Sequence, residues 1–89
     1  MIEKLKKYLN LTWEDDDIDN RLKELLEQSK TSLNSLIGVE LDYEDKELEE
    51  LLFNRVRYAY NNSIEYFEEN FHSQILRMQV IKGVESLEK

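Results

Sequence analysis

The residues whose types and spacing could do chemistry fall into four groups. The first is the acidic run Glu14-Asp15-Asp16-Asp17 with Asp19. Asp15, Asp17 and Asp19 repeat the alternation with which an EF-hand loop offers its first three calcium ligands. Such a loop also needs Gly at its sixth position and a bidentate Glu at its twelfth, and here those positions hold Asn20 and Leu26. The run therefore reads as a charged helix start, where carboxylates meet the positive end of the peptide dipoles. The second is His72, the single histidine, in a chain without Cys. One imidazole does not make a zinc set, and a nucleophile needs a base beside it. His72 reads as a solvated side chain near a helix break. There is also no Gly-rich phosphate loop. The expectation is a protein without metal or cofactor, and not an enzyme.

The third group is Arg55, which falls among Leu51, Leu52 and Ala59 on an apolar stripe. Either its stem packs while its guanidinium reaches water, or it forms an ion pair with an acid of the preceding helix or of a neighbouring protomer, as a buried guanidinium requires. The fourth group is aromatic. At about 100° per residue, Leu48, Leu51, Leu52, Val56, Ala59 and Tyr66 fall on one stripe, and Phe53, Tyr60, Ile64, Phe67 and Phe71 on a second beside it. Together they cover roughly 200°, twice the ~100° an ordinary surface helix buries. The second stripe reads equally well as core or as subunit contact, because aromatics are enriched at interface cores. Ile75, Met78, Val80 and Ile81 of the last helix join it as candidate contact residues.

The elements that must carry these groups are helices. Pro is absent and Gly occurs twice, which argues against frequent turns. A first helix spans about Ile2 to Leu9. Thr12 then offers a cap, with Asp15 in capping-box spacing, and Trp13 is placed to pack from the loop as a staple. A second helix runs from about Glu14 to Ile37 on the stripe Ile18, Leu22, Leu25, Leu26, Ser29, Leu33, Leu36 and Ile37, and stops at Gly38. The segment Val39 to Tyr43 is a loop that tucks Val39 and Leu41 onto the core, with Tyr43 as a further candidate. Asp42 or Asp45 caps a third helix reaching about Glu69, and a break over Asn70 to Ser73 leads to a final helix from about Gln74 to Leu87. Residues 1–89 thus read as one all-α domain, a small bundle of three to four helices with two long antiparallel ones.

Composition narrows the function. The net charge is −8, with 20 acids against 12 bases. Gripping nucleic acid draws on Lys and Arg contacts to phosphate, so tight DNA binding is not expected. No apolar run approaches the ~18 residues of a membrane span, and the start MIEKLKKYLN lacks the apolar core of a signal peptide. A chain of 89 residues is marginal as a lone domain. Without disulfides or metal, regular helix packing and oligomerisation remain to stabilise it.

The stretch Leu51 to Phe71, LLFNRVRYAYNNSIEYFEENF, resembles the signature segment of the phage head–tail connector family. Leu5-Lys6-Lys7-Tyr8-Leu9, the acidic run and the long helix ending in Ile37-Gly38 are similar to that family's amino-terminal half. The likeness spans about Ile2 to Val80, and its most specific part is the run from Asn54 to Asn62. It implies a virion structural protein, made in the bacterial host cytoplasm and located at the head–tail junction. There it would form a homo-oligomeric ring between the portal protein and a downstream head-completion or tail protein, with DNA passing through the channel unbound. In that family the carboxy-terminal part docks to the portal, which corresponds by region to Phe71 to Leu87. The alternative is an acidic helical regulator of the cytosol, a monomer or dimer that binds another protein.

A metal that bound the folded state at a hundred times its dissociation constant would add about 2.7 kcal/mol of stability. Calcium or zinc is expected to leave the melting temperature unmoved in calorimetry, because the acidic run lacks a complete ligand set.

Overall fold

The computed structural model describes residues 1–12 and 14–87. Trp13, read above as a staple, lies outside the described residues. The chain is all-α. In order come α1 (Ile2–Tyr8), α2 (Asp16–Ile37), α3 (Lys46–Tyr60), a single 3-10 turn (Ile64–Tyr66), α4 (Phe67–Asn70) and α5 (His72–Leu87). No strand occurs among the described residues, and no helix among them is long and apolar enough to cross a membrane.

The helix ends follow local chemistry. α2 begins later than expected, because Asp15 and not Thr12 is its cap. The Asp15 carboxylate accepts from the backbone N–H of Asp17 at 2.9 Å and of Ile18 at 3.4 Å, which satisfies donors the first turn cannot pair. Gly38 ends α2 at φ 97, a left-handed conformation that costs glycine nothing. Asp45 caps α3 in the same way through Glu47 and Leu48.

α2 and α3 pack as an antiparallel pair. The short link Gly38 to Asp45 returns the chain, and Arg55 reaches Ser29 at a matching distance from the turn. Leu22, Leu26, Leu33 and Ile37 of α2 meet Leu48, Leu51, Leu52, Phe53 and Val56 of α3 in one core. α1 closes one side through Leu5, and its Lys6 lies 3.0 Å from Asp19. The loop after α2 tucks Tyr43 into the core, with Val39 and Leu41 packed against it.

α3 does not continue to Glu69. It ends at Tyr60, with the Ser63 N–H on the Tyr58 carbonyl at 2.8 Å and the Asn62 N–H on the Ala59 carbonyl at 3.1 Å. This is a Schellman closure with Asn62 in the left-handed position at φ 57, a place Asn accepts more readily than most residues. α1 ends likewise on Asn10 at φ 61, with N–H bonds from Asn10 to Lys7 and from Leu11 to Lys6. The main break thus lies at Asn61–Ser63, not at Asn70–Ser73. There the chain turns only at Phe71 before α5 starts at His72. The third helix expected is divided for this reason, and five helices stand among the described residues.

The break folds the aromatic run back on itself. Residues 58 and 67 of a continuous helix would be separated by about 13.5 Å along the axis. Instead the Tyr58 and Phe67 ring centroids are 5.8 Å apart, and Phe71 stacks on Phe67 at 5.0 Å. Phe67 is 1% exposed. Phe67→Ala is expected to cost about 3–5 kcal/mol, the usual range for emptying a buried aromatic site. Denaturant unfolding measures it, and an unchanged midpoint would place Phe67 outside the core.

Candidate functional site

The residues proposed above as one contact stripe separate in the folded chain. Phe53, Phe67, Ile75 and Met78 are buried within the protomer. Tyr60, Phe71 and Ile81 are half-buried against the core. Only Ile64 and Val80 of the set are exposed. The stripe was drawn on an uninterrupted helix, and the turn at Asn61–Ser63 rotates its second half inward. The chain itself covers most of the surface that appeared to need a neighbour.

The exposed apolar face lies on α5 instead. Leu76, Val80, Val84 and Leu87 follow one another at helical spacing and all face solvent, Val80 at 60% and Leu87 at 89% exposure. Ile75 and Met78 lie on the opposite side, in the core. Polar contacts hold the first half of α5 to the bundle. The Gln79 side chain donates to the Leu36 carbonyl at 2.9 Å, and Arg77 pairs with Glu47. α2 ends at Ile37, level with Gln79, so the segment from Gln79 to Leu87 runs on about 12 Å past it at 1.5 Å per residue. The molecule is accordingly elongated, 45 × 25 × 17 Å. Ser73, Leu76, Arg77, Val80 and Ile81 line a shallow depression of about 420 Å³ on this face. Glu85 is the sole carboxylate of α5, in a chain with net charge −8.

Val80 and Ile81 were legible as candidates; Leu76, Val84 and Leu87 were not singled out. The signal was available. Positions 75 and 78 form one stripe and positions 76, 80, 84 and 87 another, so α5 is apolar on two sides.

The titratable groups have structural partners. The Arg55 guanidinium donates to the fully buried Ser29 hydroxyl at 2.8 Å. Burial lowers the Arg55 pKa and the Glu68 carboxylate opposes that shift. For Arg55 this hydrogen bond stands in place of the ion pair to an acid of α2 that the sequence offered as one alternative. Its head turns inward to a hydroxyl, and no acid of α2 lies within ion-pair distance among the described residues. The run with calcium-like spacing is likewise spent, with Asp15 as the α2 cap and Asp19 on Lys6. Among the described residues no group of three or more acidic or histidine side chains is placed to hold a metal ion. His72 is exposed and lines a groove with Leu36, Glu68, Ile75, Leu76 and Gln79, which offers it no nucleophile.

No protein-family model, curated protein or solved structure matches the chain.

Two groups give the fold an alkaline limit. Burial pushes the Tyr43 phenol up to about 12 from 10.0, and its hydroxyl bonds Asn34 Oδ1 at 2.8 Å. The hydrogen bond to Asp19 raises the Lys6 ammonium above 10.5. Each raised value means that the group contributes fully below its unfolded pKa and ceases to contribute as pH rises through the folded one. The melting temperature is expected to fall between pH 10 and about 12, and Tyr43→Phe is expected to weaken that dependence. A wild-type midpoint that stays flat across this window contradicts it.

Proposed function

We propose that this chain is a virion structural protein, a ring-forming adaptor between the portal and the next head-completion or tail protein at a phage head–tail junction. The observation that carries the reading is the outward stripe Leu76, Val80, Val84 and Leu87 on the overhanging half of α5. A protein of this size seldom leaves four large apolar side chains in a row facing water unless another surface covers them. The stripe falls within Phe71 to Leu87, the region that in the resembled family docks to the portal. The connector reading thus assigns a role to a surface the fold leaves open. An acidic body with one neutral face also suits a component that lies beside DNA without adhering to it, since few cations are available to displace counterions.

The mechanism is assembly. A ring needs two different patches that meet head to tail, and it closes when the rotation between neighbours divides a full turn. α5 supplies one apolar patch, and the first half of the helix is fixed to the bundle on its inner side by Ile75, Met78 and Gln79.

Light scattering tests this, on the protein alone and after mixing with purified portal rings. The expected result is a mass that is a large multiple of 10.8 kDa in at least one condition, abolished by Val80→Asp with helix content and melting temperature retained. Burying an unpaired carboxylate in an apolar contact is costly, whereas at a 60% exposed position the free protomer tolerates it. A monomer or dimer in both conditions would defeat the connector reading in favour of the regulator.

A further inference from the structure

The run from Asn54 to Asn62 sends its apolar residues into the core, while its polar ones converge elsewhere. Asn54 Oδ1 accepts from the Tyr8 hydroxyl at 2.7 Å and from Arg57 Nη2 at 3.1 Å. The Arg57 guanidinium lies 5.9 Å from the Tyr8 ring centroid and 5.7 Å from that of Tyr58, within cation–π range of both. Two rings and one hydrogen bond thus fix an exposed side chain that would ordinarily be mobile. The backbone turn at Asn62 places Arg57 at the edge of a cleft of about 390 Å³, lined also by Tyr58, Asn61, Ser63, Tyr66 and Asn70.

The lining is rich in donors. The Tyr58 oxygen already accepts from the Asn70 amide at 3.0 Å, which leaves its own proton to give. Arg57, Asn61 and Tyr66 add further N–H and O–H groups. No carboxylate lines the cleft, and none among the described residues pairs with Arg57. In a chain with 20 acids, a held guanidinium without an acid is a vacancy for one from outside. Tyr66, 55% exposed, supplies an aromatic wall of the kind enriched where proteins meet.

We propose that this cleft binds an aspartate or glutamate side chain presented by an extended segment of a partner protein. A single guanidinium matches a single carboxylate, which it can grip through two parallel hydrogen bonds. Nucleic acid would require several cations along a backbone, and the cleft has one. Its volume lies at the lower end of ligand sites, room for the acidic side chain and one neighbour against Tyr58 and Tyr66. This site is separate from the α5 stripe and does not rest on the connector reading.

The test is nuclear magnetic resonance titration of the full chain with a blocked four-residue peptide carrying one aspartate beside one tyrosine. Its asparagine analogue, acetate, inorganic phosphate and an eight-nucleotide thymidine strand are run alongside. Saturable shifts of the amides from Asn61 to Asn70 are expected, with a dissociation constant in the millimolar range. Affinity should fall about tenfold for the asparagine peptide and for Arg57→Gln, as loss of a charge-assisted bond implies, and Arg57→Lys should recover part of it. Tyr66→Ser should weaken the peptide but not acetate. Arg57 is exposed, so R57Q should melt with the wild type. If R57Q unfolds, the Tyr66→Ser contrast and the asparagine peptide decide alone. Equal binding of both peptides, undiminished binding to folded R57Q, preference for phosphate or the thymidine strand, or no saturable shift would each overturn the proposal.

Discussion

Phe67 lies against Tyr58 and Phe71, and that packing decides where the last third of the chain can go. α2 and α3 alone form a hairpin with one apolar side open. By turning back at Asn62 the chain places Phe67 over that opening and starts α5 in the direction that lets Ile75 and Met78 complete the core. The core therefore closes without a second subunit. Each aromatic pair of this kind contributes roughly 0.5–1.5 kcal/mol beyond its buried area, which favours the tight reversal over about two and a half further helical turns in water.

The long amphipathic stretches were legible. The stripe from Leu22 to Ile37, the stop at Gly38, the loop tucked onto the core and a cap at Asp42 or Asp45 follow from periodicity and capping chemistry, and the structure uses Asp45. The reversal was not, because Tyr60, Ile64 and Phe67 keep an unbroken helical period across it. Periodicity reports which residues are apolar, and a helix that folds back on itself can bury the same residues as a straight one. The contrary signal was Asn61-Asn62-Ser63, three residues whose side chains compete with helical hydrogen bonds, and Asn10 marks an equivalent end in α1. The contact of Arg55 was hidden for a related cause. Its partner Ser29 belongs to the α2 stripe and passed as a small core residue, although a hydroxyl at that position offers an acceptor.

Charge is distributed in a way that composition alone conceals. Lys4, Lys6, Lys30, Arg77 and Lys82 each lie near an acid of the same chain, and since every pair cancels one charge of each sign, the whole net charge of −8 rests on the groups outside these pairs. Exposed pairs of this sort add little stability. Their larger effect is on encounter, since a strongly acidic body repels copies of itself except through its neutral faces. The apolar stripe of α5 is such a face and the cleft at Arg57 is a cationic one, and contacts with other molecules are channelled toward them.

The overhang of α5 has a thermodynamic corollary. Up to Ile81 the helix packs against the bundle; beyond it, the turns through Val84 and Leu87 rest on helix propensity, with Gly83 among them. Short unsupported helical segments are marginal in water, so these turns open with a free energy far below that of global unfolding. A molecule that packs on their apolar stripe therefore orders them as it binds, and part of its binding energy goes into that ordering. Occupancy of the face is thereby coupled to backbone protection along the final turns, which makes slow amide exchange there a sign that α5 has been covered.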